Sequence, residues 1–181
     1  MLFRSLRDAA PRDAGPGLGD AGPAPRDETL ERLTTGTAAA VYVQILVGAT
    51  MRHTGAGLAI PDFPFAFGRL VPPVWSGAIA IHYAHRLGAL VVVTLILATA
   101  GHALYRHRGR WELGRPSLLL ILLAAVQVTL GAATVLSGKQ YVINSLHVVC
   151  GSFVLATSLV LALRAHYPRF VFPSRAVQAA A

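Results

Sequence analysis

The amino-acid sequence predicts an all-α fold, an integral membrane four-helix bundle with an internal two-helix repeat, and three observations carry that prediction. The 181 residues are 54% hydrophobic and only 13% charged, with a mean hydropathy of +0.55. A soluble domain has roughly a quarter of its residues charged, so a water-soluble enzyme is excluded. Four apolar runs, at 34–53, 78–105, 116–136 and 142–165, are each near or above the ~20 residues that cross a hydrocarbon layer of ~30 Å as a helix. A pattern also recurs: Gln44 to Gly48-Ala49 and then Thr54-Gly55 match Gln127 to Gly131-Ala132 and Ser137-Gly138, while Ile81-x-x-x-His85 matches Ile143-x-x-x-His147. Each helix pair runs out and back, so a duplication would relate the pairs by a pseudo-twofold axis along the membrane normal.

Taken in order, residues 1–33 are rich in Pro, Gly, Asp and Arg without sustained apolar periodicity, and read as a flexible cytoplasmic segment. They hold no apolar core of the kind a secretory signal needs, so the first span is expected to act as its own insertion signal. The transmembrane bundle is expected over 34–166, with a cytoplasmic tail over 167–181. None of the four runs shows the polar face of a helix in a soluble bundle. The connection at 54–77 combines Pro61, Pro64, Pro72 and Pro73 with Phe63, Phe65, Phe67 and Trp75. Proline fixes the backbone and aromatics favour burial, so it reads either as a cap over the outer mouth of the bundle or as an interfacial re-entrant loop.

Basic residues set the expected orientation. Arg4, Arg7, Arg12, Arg26 and Arg32 precede the first span, Arg106, Arg108, Arg110 and Arg115 follow the second, and Arg164, Arg169 and Arg175 end the chain. Only Arg52, Arg69 and Lys139 fall on the other side, which places both termini in the cytoplasm of an inner (plasma) membrane. The net charge of +8 is therefore spread between apolar runs and does not form a nucleic-acid-binding patch. The single cysteine, Cys150, has no partner for an intrachain disulfide, a zinc site or a covalent C-x-x-C-H haem link.

Ionisable groups inside spans are costly and favour a bundle interior. Counted from the outer ends of their helices, His85 lies roughly 12 Å and His147 roughly 9 Å along the axis at 1.5 Å per residue, so the imidazoles come to similar depth. Two opposed imidazoles on facing helices suit a six-coordinate, b-type haem iron when no cysteine is at hand. Gly88 and Gly151 fall on the same faces as the histidines and leave space for a flat macrocycle. Arg86 stands at the level of a propionate. The alternative is a purely structural arrangement: His85 and Arg86 as an interfacial polar pair with Arg86 snorkelling, and His147 bonded to a neighbouring carbonyl. His82, one turn outward of His85, is either a group at the ligand's edge, with a catalytic or proton-carrying role, or a solvated interfacial histidine. His53, His102, His107 and His166 lie at helix ends and are expected to be solvated. Gln44 and Gln127 are expected to bond between helices, with cofactor contact as the second option.

The motif Arg52-His-Thr54-Gly55-Ala-Gly57-Leu58-Ala-Ile-Pro61-Asp62-Phe-Pro64, with Gly68 and Pro72-Pro73, precedes His85-Arg86, Gln127-x-x-Leu130-Gly131 and Leu146-His147. In this the chain resembles haem A synthase, the cytochrome oxidase assembly enzyme, from about residue 34 to residue 166. The resemblance implies a membrane oxidoreductase that oxidises a methyl group of haem O to the formyl of haem A. It assigns His85 and His147 as axial ligands of haem iron and Arg86 as the arginine beside a ligand. Arg52, Gly88 and Gly151 are grouped with Arg86 as residues expected to contact the cofactor.

Three departures accompany the resemblance. The usual family member is about twice as long, with two four-helix halves. Its acidic residue three positions before the His-Arg motif is replaced by His82, and its cysteines bracketing the Pro-Asp-x-Pro motif are absent around Ile60 and Ala66. These point to the cofactor-holding half: a fragment, a split-gene half or a compact version that forms a homodimer. The expected partners are haem O or haem b, membrane lipid, a second four-helix half, and haem O synthase or oxidase assembly factors. The competing expectation is a non-catalytic b-type haem-binding, electron-transfer or assembly protein.

Overall fold

Asp27 starts the first helix, its side chain accepting the Leu30 N–H at 2.9 Å while Glu28 and Glu31 place negative charge in the first turn, where the helix dipole favours it. In the computed structural model, which describes residues 26–171 with side chains to residue 166, helix α1 therefore runs Glu28–His53. It begins six residues before the apolar run because capping, and not hydropathy, sets its start. Of the segment 1–33 expected to be flexible, Glu28 to Leu33 belong to this helix, while residues 1–25 lie outside the described residues, as does the chain beyond Val171.

A 3-10 turn, Ala56–Leu58, follows α1, and α2 runs Gly77–Arg106 from an N-cap at Ser76, whose hydroxyl accepts the Ile79 N–H at 3.2 Å. Helix α3, Trp111–Leu136, carries Pro116 near its start. Proline cannot donate to the Glu112 carbonyl one turn earlier, and Arg164 of α4 donates to that oxygen at 2.7 Å instead. Helix α4, Tyr141–Val171, starts where the Gln140 side chain accepts the Ile143 N–H at 3.2 Å.

The substantial interfaces are α1/α2, α2/α3, α3/α4 and α4/α1, so the helices form an antiparallel ring with both ends of the described chain at one end of the bundle. All four are long and apolar enough to cross a membrane, and the fold is an all-α membrane bundle. Leu46, Leu90, Leu122, Phe153 and Leu163 face outward, as lipid-facing residues do. The buried interior includes Leu30, Val41, Ile96, Leu113, Leu120, Val154 and Leu161. It also holds hydroxyls, and Thr37 bonds Thr99 across α1/α2 at 2.7 Å. Small residues and interhelical hydroxyl bonds are the usual means of packing helices in lipid.

The 54–76 connection is an ordered cap and not an open tether, but Phe63, Phe65, Phe67 and Trp75, the aromatics expected to favour burial, are exposed, as in the interfacial alternative. Ile60, Ala56 and Ala66 are buried. Ala66 and Arg69 exchange backbone hydrogen bonds around a tight turn in which Phe67 and Gly68 both have positive φ. The Asp62 carboxylate accepts the N–H groups of Phe67 and Gly68 at 2.8 and 2.7 Å. Tyr83 of α2 donates to the Leu70 carbonyl at 3.1 Å and meets Trp75 edge to face.

Candidate functional site

His85 on α2 and His147 on α4 come from diagonally opposed helices, and their imidazoles lie within electrostatic reach of each other. Each ring is positioned by a glutamine of the preceding helix, through different atoms on the two sides. The Gln44 amide donates to the His85 carbonyl at 2.7 Å and stands 3.1 Å from its Nδ1. On the other side, the Gln127 carbonyl accepts from His147 Nδ1 at 3.2 Å, and the Gln127 amide lies 3.5 Å from Nε2. One turn further along, Gly48 and Gly131 clear room for the rings: a Cβ at Gly48 would lie 3.0 Å from His85 Cε1, and one at Gly131 would lie 3.1 Å from His147 Cε1. The repeat read from the sequence is thus a repeat of contacts.

The expectation for Gly88 and Gly151 changes. The space beside Gly88 is taken by the Gln44 amide, and a Cβ at Gly151 would stand 3.1 Å from Gln127 Nε2. These glycines admit the glutamines that orient the rings. The sequence places a glycine on the histidine's own face but does not show what the neighbouring helix puts there.

Arg86 is committed to the loop. Its Nη1 donates to the Phe65 carbonyl at 2.8 Å, its Nη2 to the Ile60 and Asp62 carbonyls at 3.1 and 2.7 Å, and its Nε to His82 Nε2 at 3.2 Å. These bonds occupy four of the five guanidinium N–H groups, so a propionate would share an arginine that already holds the cap. His82 is 2% exposed, which excludes the solvated reading. Its Nδ1 stands 3.2 Å from the Ile60 N–H, and because a neutral imidazole accepts at one nitrogen only, its tautomer selects between Ile60 and Arg86. Arg52 is exposed on the last turn of α1 and has no side-chain hydrogen bond or ion pair among the described residues. The cap is charged where it turns: the Gly68 and Phe67 N–H groups, with Arg86 nearby, hold the Asp62 carboxyl below its usual range.

Two histidines expected to be solvated are not. At the termini end, His102 Nε2 and His107 Nε2 stand 2.8 and 2.9 Å from the same Asp27 oxygen. Partial burial pushes the Asp27 carboxyl up, but the Leu30 N–H and the two imidazoles outweigh it and hold it well below the usual carboxylate range. The sequence signal was an acidic N-cap and a His-x-x-x-x-His pair at helix ends on the same membrane side, linked only by the fold. His166 stands 3.8 Å from Glu31.

The donor set fits a haem iron. Two imidazoles come from opposite helices, and His147 donates from Nδ1 to a carbonyl, which leaves its Nε2 lone pair facing the Gln127 amide at 3.5 Å. The Gln44 amide stands at His85 Nδ1, so a haem iron would take the Nε2 lone pair of each ring in exchange for these amide contacts. Gln127 Oε1 is a buried acceptor without a hydrogen-bond partner among the described residues, a polar atom left to meet a further group.

Residues 5–159 match the family described as cytochrome oxidase assembly protein. The chain is 35% identical over 112 residues to a protein of Symbiobacterium thermophilum named haem A synthase, covering 62% of this chain and 36% of that one. It is also 35% identical over 127 residues to the haem A synthase of Geobacillus kaustophilus, covering 68% and 39%. With that of Staphylococcus aureus it shares 30% over 118 residues, covering 65% and 38%. The matched region spans somewhat under two fifths of the length of these curated relatives. With the loop motif, the paired histidines and the four-helix ring in the same chain, the protein belongs to the cytochrome oxidase assembly protein family.

Proposed function

We propose that the chain is a haem A synthase-type membrane oxidoreductase unit that holds a b-type haem between His85 and His147 and takes part in oxidising a methyl group of haem O to the formyl of haem A for cytochrome oxidase. The observation that carries this reading is the repeated positioning of the two imidazoles, each held by a glutamine and cleared by a glycine of the preceding helix. The names of the relatives give haem A as the product, and the motif resemblance supplies haem O as substrate and oxidation of its methyl group as the reaction. Because the chain matches under two fifths of their length, the unit is proposed to act as a homodimer or with a second four-helix half. The arginine-rich flanks support both termini on the cytoplasmic side, and the membrane proposed is the inner (plasma) membrane.

Bound haem would supply one-electron redox chemistry at its iron. The protein's part is to orient His85 and His147, through Gln44 and the Gln127 carbonyl, and to close the outer mouth with the Arg86-tied cap. Excluding water there limits side reactions of a reactive site.

A second reading, a non-catalytic b-type haem-binding, electron-transfer or assembly protein, is favoured by His82. It stands where the resemblance places an acid, and it is buried against Arg86 and Ile60. Expression of this chain alone in a host that makes haem O, followed by a reduced optical spectrum and haem extraction, separates the two. Haem A or its hydroxylated precursor supports an enzyme that works alone or as a homodimer. Haem b without oxidised product makes the chain the cofactor-holding half if product appears on co-expression with a second four-helix half, and supports the second reading if it does not. A preparation without haem overturns both.

A further inference from the structure

Far from the paired imidazoles, at the termini end of the bundle, Asp27, His102 and His107 bring one carboxylate oxygen and two ring nitrogens within 4.8 Å of one another. We propose that these three residues form a binding site for a divalent first-row transition ion, which clamps the start of α1 to the end of α2.

The ligand chemistry selects the ion. Two imidazoles and one carboxylate suit zinc and its neighbours, whereas magnesium and calcium require oxygen cages. Zinc binds such ligands at about 2.0–2.2 Å, so two ligand atoms on a tetrahedral ion stand ~3.3 Å apart. The Asp27 Oδ2 to Nε2 separations of 2.8 and 2.9 Å need open by only a few tenths of an ångström. The side chains are 16–22% exposed, so three protein ligands hold the ion while water reaches the fourth position.

The site is built on fixed elements. His102 sits in the last turns of α2, and His107 is its C-cap, bonded through its backbone N–H to Ala103. Asp27 is the N-cap of α1, with Oδ1 engaged by the Leu30 N–H and Oδ2 left for the histidines. Neither His102 Nδ1 nor His107 Nδ1 has a hydrogen-bond partner among the described residues. On ion binding the ring proton therefore moves from Nε2 to Nδ1, and the Nε2 lone pair becomes the donor. The closing carboxylate and the carbonyl end of α2 supply negative charge at the ion. His166 and Glu31, 3.8 Å apart, take no part in this cluster.

The test uses the full chain purified in detergent with a histidine-free affinity tag, titrated with Zn2+ by calorimetry and with Co2+ by visible absorption. One equivalent of Zn2+ is expected to bind, to displace Co2+ and to raise Tm by several degrees, with Mg2+ inert. His102→Gln and His107→Gln keep an amide N–H for Asp27 but offer a poor ligand, so helical content should hold in both. Each variant should weaken that equivalent at least tenfold and abolish the Tm shift. Absence of zinc binding by the wild type, unchanged binding in both variants, or loss in only one of them overturns the three-ligand site.

Discussion

Gly48 of α1 and His85 of α2 are so close that a methyl group on the glycine would sit 3.0 Å from the ring's Cε1. Few real Cβ contacts are that tight, and the ring is held in place by Gln44, one turn earlier on the same helix as the glycine. Gly48→Ala is expected to turn the imidazole out of place, at the ~1–3 kcal/mol typical of overpacking, and to cut the haem-to-protein ratio. Gly131→Ala should act alike on His147, given its 3.1 Å approach. Gly36 has open space around it, so Gly36→Ala should raise Tm slightly through helix propensity, by roughly 0.5–1 kcal/mol. Haem content measured by pyridine haemochrome, with thermal melts of all three variants, checks this; equal haem in Gly48→Ala and Gly36→Ala would defeat it.

The two glutamines should not be equivalent. Gln44→Leu removes the side-chain bonds to His85, to its carbonyl and to Nδ1, and should weaken haem binding roughly 10–100-fold, as loss of a ligand-orienting bond does. Gln127→Leu leaves the backbone carbonyl that takes His147 Nδ1 at 3.2 Å. Its effect should be several-fold smaller. Haem titration of the apo variants reads the ratio directly, and a larger loss in Gln127→Leu would contradict the assignment.

Asp62 predicts a one-sided pH response of the cap. Its carboxyl, normally at 3.8, is lowered by the Gly68 and Phe67 N–H groups, so the charged form stabilises the folded loop. That contribution is fully present above the unfolded value, and it is lost as pH falls through the lowered folded value. Cap protection should therefore be flat from pH 7 to 5 and fall only below about 4. Asp62→Ala should lose amide-exchange protection at Phe67 and Gly68 already at pH 6. Protection that declined between pH 7 and 5 in the wild type would assign the cap's stability to another group.

Pro116 and Arg164 should behave as a coupled pair. Arg164→Met leaves the Glu112 carbonyl without its 2.7 Å donor and should cost about 1 kcal/mol. In a Pro116→Ala background the residue 116 N–H is available to that oxygen, so the same change should cost little. A double-mutant cycle by thermal unfolding measures the coupling, and strict additivity would rule it out.

The apolar runs made the four helices legible, because lipid leaves the backbone few alternatives to helix. The start of α1 was not, since Glu28 to Leu33 join the helix through the Asp27 cap while lowering local hydropathy. His85 and His147 stood out as imidazoles inside apolar spans, and the Gln-x-x-x-Gly repeat marked the residues that touch them. Which residue touches which was hidden. Gly88 faces Gln44, 44 positions earlier in the chain, and Asp27 meets His102 and His107 across separations of 75 and 80 residues. Arg86 looked like a group for an anion, yet the carbonyls that claim it belong to a loop whose path proline and glycine spacing alone do not set.

The ring of helices behaves mechanically as a hinged four-bar frame. Its substantial interfaces are its four sides, α1/α2, α2/α3, α3/α4 and α4/α1, and neither diagonal is braced by a comparable one. In such a frame, lengthening one diagonal shortens the other. A rigid strut from His85 to His147 would fix the α2–α4 diagonal and with it the α1–α3 spacing, so the two glutamine-bearing helices would be held at a set distance without touching the strut's centre.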